Sequence, residues 1–187
     1  MTEQGQATSQ TSQRDTICFA EMSGGVAVIR VLGRGSFSNS VELKQLADHL
    51  ADQAGPANYH FIVDLEECIT MDSTFMGVLA SVGLRHRREN DKPMTLVRVN
   101  EQCNRLLKTL GVALFIDIHK ASESPAQRVA DSADLLQADQ QEVSRIDRII
   151  HMIEAHETLC DIDSQNIARF EPVIKYLKES LEREKQR

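Results

Sequence analysis

The amino-acid sequence predicts an α/β fold, a mainly parallel sheet backed by helices, followed by a C-terminal two-helix extension. Three observations carry this expectation. Short β-branched runs alternate with helical repeats over residues 15–120, in the order β-β-α-β-α-β-α-β. Parallel neighbours need long crossovers, usually helices, so alternation of this kind implies a largely parallel sheet. Beyond Pro125 the strand-like runs cease and two apolar 3–4 repeats take over.

Residues 1–14 are polar and have almost nothing to bury, which predicts a disordered lead. Ile17 to Ala20 can pair with Val26 to Leu32 through the Ser23-Gly24-Gly25 turn, and Gly33 closes the second strand. Leu43, Leu46, Ala47 and Leu50 recur at helical spacing and predict a helix that stops before Gly55-Pro56. Tyr59 to Leu65 reads as a buried strand, and a helix follows from Ser73 to Arg88. After Pro93 come a strand (Met94 to Asn100), a short helix ending at Gly111, and a last strand, Leu114 to Ile118.

In the extension, residues 121–187, Val143, Ile146, Ile150 and Ile153 step by three and four, widened by Ile149 and Met152. Ile167, Phe170, Ile174, Leu177 and Leu181 repeat the pattern, with Pro172 expected to kink that helix or delay its start. Two such stripes must be covered by the sheet domain, by each other, or by a second copy in a homodimer. Because the preceding elements form a closed architecture, deletion of residues 125–187 is expected to leave a folded domain.

Composition narrows the function. At 187 residues and 41% apolar content the chain can bury one good core. It has no apolar stretch long enough to span a membrane, and its first fifteen residues are polar and lack the apolar run expected of a secretory signal. The four cysteines, Cys18, Cys68, Cys103 and Cys160, form no CxxC pair and read as reduced thiols in a cytoplasmic protein. A net charge of −7 argues against nucleic acid or anionic membrane as partner. Residues 1–120 carry 12 basic and 14 acidic groups (−2) and residues 121–187 carry 9 and 14 (−5), so the tail differs in composition.

Residues 69–77, ITMDSTFMG, hold the one motif with chemistry in it. Asp72, Ser73 and Thr74 sit where a helix begins. On the residues alone they are either a cap, accepting the first free N–H groups, or a site where a hydroxyl is modified.

The strand ending in Asp64, followed by Met71, Asp72, Ser73, Thr74 and Gly77 leading an apolar helix, resembles the STAS domain of bacterial anti-sigma factor antagonists. The element order over Ile17 to Lys120 fits as well. The resemblance implies a non-enzymatic regulator of transcription by partner switching. Ser73, with Thr74 as alternative, would be phosphorylated by an anti-sigma factor that is itself a serine kinase, and a serine phosphatase would reverse this. A phosphate adds about −1.5 to −2 charge and is tolerated at a helix N-terminus.

The implied partner face joins Asp72, Ser73, Thr74, Phe75 and Met76 to the loop residues Gly35, Ser36, Phe37, Ser38 and Asn39. At least one of Phe75 and Met76 is expected in that interface. Two departures accompany the resemblance: Phe75 and Met76 stand where relatives often have a small Gly, and the loop lacks an acid that many relatives place there. The alternative reading is a non-phosphorylated scaffold or ligand-sensing module that dimerises through its C-terminal helices.

Other chemistry finds little footing. GxxxxGK[ST], GxGxxG and GxSxG are absent, so no cofactor is expected. Asp64 lacks the paired acids and lysine of a receiver domain. His151 and His156 lie five apart, on different helix faces, unlike HExxH, so no metal is expected. Arg85, His86, Arg87 and Arg88 read as a solvated basic helix end, favoured by the helix dipole.

Overall fold

The computed structural model describes residues 15–55, 59–90, 92–119, 124–138 and 142–186. The lead, residues 1–14, and the expected boundary at 120/121 lie outside the described residues. The elements are β1 (Thr16–Met22), β2 (Val26–Gly35), α1 (Phe37–Ala54), β3 (His60–Asp64), β4 (Cys68–Met71), α2 (Ser73–Glu89) and β5 (Thr95–Val97). They continue with α3 (Glu101–Thr109), a 3₁₀ turn (Val112–Leu114), β6 (Asp117–His119), α4 (Pro125–Asp131), β7 (Leu136–Gln137), α5 (Arg145–Ile162) and α6 (Gln165–Lys185).

The sheet runs β6-β5-β3-β2-β1-β7, with β4 also paired to β2. The β2–β3, β2–β4, β3–β5 and β5–β6 pairs are parallel, while β1 is antiparallel to both β2 and β7. This is the α/β architecture with a C-terminal helical extension that the alternation predicts.

Side chains alternate across β2 as strand geometry requires. Ala27, Ile29 and Val31 join Phe61, Val63 and Leu96 in the main core, with residues of α1, α2 and α3. Val28 faces the other side, where Ile62, Val97 and Ala130 of α4 meet it. The tail enters the main core through Ala138, Ala155, Leu159 and Phe170.

Several boundaries differ from expectation. β2 continues past Gly33 to Gly35, with a register shift at Gly33/Arg34, because β4 pairs with this outer third. β4 itself replaces an expected connection. β5 stops at Val97, where Arg98 adopts φ 55, a conformation that breaks strand geometry. Val112 to Leu114 form a tight turn that buries Val112, so β6 starts three residues late. The tail is not free of strands: Leu136 and Gln137 pair with β1. Helix α6 runs through Pro172, whose ring lies exposed, so the carbonyl deprived of its N–H partner can meet water.

Candidate functional site

Asp72 fixes the geometry of the motif. It is the N-cap of α2: its Oδ1 accepts the Phe75 N–H at 2.9 Å. Its Oδ2 accepts the Phe37 N–H of α1 at 2.8 Å. One carboxylate thus ties the starts of two helices together, and the Gly35 carbonyl accepts the Asp72 N–H at 2.9 Å to fix the β2 end beside them. Helix α1 has its own capping box: the Ser36 N–H donates to Asn39 Oδ1 (2.9 Å) and Asn39 Nδ2 donates to the Arg34 carbonyl (3.0 Å).

The ten expected site residues divide by exposure. Phe37 and Ser38 are exposed, and Ser36, Asp72 and Ser73 are half-buried. Gly35, Asn39, Thr74, Phe75 and Met76 are buried. The expectation that Phe75 or Met76 faces a partner is therefore corrected: they are 0% and 3% exposed. Phe75 lies over Gly35 so closely that a Cβ there would sit 2.6 Å from its ring Cδ1. The bulk beside Ser73 fills the seam between β2 and α2.

Ser73 is the first residue of α2, and its Oγ lies 2.9 Å from His156 Nε2 on α5. His156 Nδ1 is 2.7 Å from the Met152 carbonyl, which can only accept, so Nδ1 carries the proton of the neutral ring. Nε2 is then the acceptor, and the Ser73 hydroxyl donates to it. Five residues earlier, His151 Nε2 lies 2.9 Å from Ser40 Oγ of α1. The two imidazoles do leave α5 in different directions, yet both point into the domain, one at each helix. Among the described residues no group of three or more His, Cys, Asp or Glu could hold a metal ion.

Two other polar clusters are structural. Asp64 is fully buried and accepts from Arg30 Nε (2.6 Å), the Glu66 N–H (3.0 Å) and Arg98 Nε (3.0 Å) and Nη2. Burial alone would raise its carboxyl, but the Arg98, Glu66 and Arg30 bonds outweigh that and hold it below the ordinary carboxylate value. Arg98 also pairs with Asp131, and Arg30 Nη2 donates to the Ala130 carbonyl, so α4 is bound to the same ions.

The basic helix end is only partly solvated, which corrects its reading. Arg85 pairs with Asp48, Asp52 and Glu89, and His86 is fully buried with Nε2 accepting the Phe61 N–H at 3.3 Å.

No protein-family model and no curated protein matches the chain. Solved structures do. An anti-sigma factor antagonist from Mycobacterium paratuberculosis aligns with a TM-score of 0.50 at 17% identity, over 64% of this chain and 96% of that one. The Bacillus cell fate determinant SpoIIAA, in its phosphorylated form, aligns with a TM-score of 0.46 at 15% identity, over 60% and 98%. The fold is that of a STAS domain.

On this STAS sheet, sequence reasoning found Asp72 and Ser73 but missed their partners. Ser40, His151, Ala155 and His156 complete the neighbourhood of the motif. The available signal is the pair of histidines near a small residue, Ala155, on an amphipathic helix. Gly77, recognised as part of the motif, turns out to be the point of closest approach: a Cβ there would collide with the Ala155 carbonyl oxygen and lie 2.6 Å from its carbon.

Proposed function

We propose that this chain is an anti-sigma factor antagonist-like regulator, non-enzymatic and cytoplasmic, that binds an anti-sigma factor or serine kinase and is switched by phosphorylation of Ser73. A kinase transfers the γ-phosphoryl group of ATP to Ser73 Oγ, the hydroxyl proton leaves and ADP is released. A serine phosphatase hydrolyses the new P–O bond to inorganic phosphate and restores the hydroxyl.

The observation that carries this reading is Ser73 at the first position of a helix whose cap, Asp72, is already committed to the Phe75 N–H. The first N–H groups of α2 have no intrahelical acceptor and suit an anion. Thr74, at 5% exposure, is a poor substitute. With Phe75 and Met76 inside, the partner face reduces to Ser36, Phe37, Ser38, Asp72 and Ser73. Phosphate there sets a second anion beside Asp72 and weakens binding.

Incubation with ATP and a serine kinase of the anti-sigma factor type, followed by mass spectrometry, tests this. Phosphate is expected on Ser73 and absent from Ser73→Ala. Phosphate on Thr74 alone, or on neither residue, would refute it.

A second reading has one observation in its favour. Ile167, Val173 and Tyr176 of α6 are 50%, 39% and 63% exposed, surface that a non-phosphorylated scaffold or ligand-sensing module could use to dimerise. Sedimentation of the unmodified protein as a monomer would remove that reading.

A further inference from the structure

Helix α5 lies across the starts of α1 and α2 and meets them at three points. His151 bonds Ser40, His156 bonds Ser73, and the backbone at Ala155 rests on Gly77. Two of the three points are polar, and the His156 ring also meets Phe170 of α6 edge-on, with 5.1 Å between ring centroids. The opposite side of α5 is apolar and belongs to α6: Ile149, Ile153 and Leu177 form a separate cluster with Met152 and Leu181. Helices α5 and α6 therefore share a seam of their own at this end. Farther along, Leu159 and Phe170 enter the main core, and Asn166 Nδ2 donates to the Leu110 and Leu159 carbonyls at 3.0 and 2.8 Å. The pair is thus anchored near α3 and held at the motif by two hydroxyl–imidazole bonds and a glycine crossing.

We infer that the α5–α6 hairpin is a built-in occupant of the Ser73 face, and that a docked hairpin and a phosphate on Ser73 exclude each other. The inference rests on the reading of Ser73 as the modified residue and adds what controls access to it. At 2.9 Å the hydroxyl is in hydrogen-bond contact with the imidazole, which leaves no room for a phosphorus and three oxygens between them. Local adjustment is blocked one turn later, because Gly77 and Ala155 already touch backbone to backbone. The space for a phosphate has to come from movement of α5 as a unit.

The same geometry narrows the approach of a kinase to the hydroxyl: Ser73 is half-buried, and His156, 3% exposed, stands against its Oγ. A helix with a small residue at the crossing fits this surface, so an external partner helix would compete with α5 for Gly77. The unmodified chain rests closed, and modification or a competing partner opens it.

Amide hydrogen exchange on the full-length protein tests the inference without any kinase. Gly77→Leu places a side chain into the Ala155 backbone while leaving Ser73 untouched. His156→Glu replaces the imidazole that faces the Ser73 hydroxyl with a carboxylate, next to the Asp72–Ser73 pair, and leaves the Gly77 crossing unaltered. Both variants are expected to exchange about ten-fold faster across Arg145–Ile162, with β2 and β3 still protected. Phosphate incorporation into Gly77→Leu by a serine kinase of the anti-sigma factor type should rise by a similar factor.

Unchanged protection of α5 in both variants would overturn the inference, and so would loss of protection in β2 and β3 together with α5. A kinase that modifies neither wild type nor variant removes the phosphoserine reading instead. Docking of the hairpin is then decided by hydrogen exchange alone.

Discussion

Acid should unfold this protein through His86, and the effect can be sized. The ring is fully buried against Tyr59, Phe61 and His60, at centroid distances of 5.2, 5.6 and 5.3 Å. Burial, helped by the charge of nearby His60, pushes its pKa from 6.5 down to about 4. Nε2 accepts the Phe61 N–H, so protonation would set two donors face to face.

The unfolded ring takes its proton near 6.5 and the folded ring only near 4, so between these values the unfolded state binds more protons. Stability therefore falls as pH drops through this window. The loss is about 2 kcal/mol by about pH 5 and about 3 kcal/mol once the pH is below the folded value, at 1.36 kcal/mol per unit. His60 and His151 are also lowered, chiefly by burial, and add to the slope. Asp64, held below its ordinary 3.8, keeps its contribution until the pH falls lower still.

The assay is urea unfolding at about pH 7.5 and about pH 5 for wild type and His86→Gln, with wild type expected to lose about 2 kcal/mol more than the variant. Equal acid loss in the two proteins would refute the reasoning.

Asp72→Ala removes the cap of α2 and the acceptor of the Phe37 N–H, while the Ser36–Asn39 capping box of α1 stays, and should cost about 2 kcal/mol in thermal unfolding, whereas Asp72→Asn keeps one acceptor oxygen and should lose about half of that. Gly35→Ala drives a methyl into Phe75 and should destabilise by about 1–3 kcal/mol; adding Phe75→Leu should recover part of the loss, and no recovery would exclude this contact as the cause. Deletion of residues 142–187 should leave a cooperative melt. The sequence alone leads to the expectation that deletion of 125–187 also leaves a folded domain, but that cut strips α4 from Val28, Ile62 and Val97 and removes Asp131 from Arg98, so it should abolish the melt; equal stability of the two truncations would show α4 to be dispensable.

Periodicity was enough for β1, β2, α1, β3, α2 and α3, where four or more apolar residues repeat with one period. It failed where tertiary pairing supplies the order. β4 is four residues between a pair of glutamates and Asp72, and it is a strand only because β2 extends to meet it. Leu114 to Ile118 looks like a strand because three large apolar residues are adjacent, but Leu114 is 77% exposed and Phe115 and Ile116 pack as part of a turn.

At the site, Asp72 and Ser73 were legible from cap chemistry, which is local. Phe75 and Met76 were misplaced because α2 is covered on two sides, by β2 and β3 through Phe75 and His86, and by α5 through Gly77. A sequence does not reveal the second cover until the docking of α5 is known. The histidine pair reads as non-convergent in the sequence for the same reason: residues five apart on a helix point about 140° apart, which serves two different helices well and one metal badly.

The two residues of β7 have a consequence for how the chain survives its own folding. Leu136 and Gln137 lie opposite Phe19 and Cys18, and the Ala138 N–H donates to the Ile17 carbonyl at 3.0 Å. Without them β1 would be an edge strand, offering a row of free amides and carbonyls to any other extended chain. The stopper arrives from the far end of the sequence, so a chain emerging from the ribosome carries β1 open until residue 138 has been made and has found its place. Both stopper side chains are exposed and bury almost nothing. Resistance to aggregation during synthesis and refolding is thereby set by a pair of residues that folded-state stability would hardly notice.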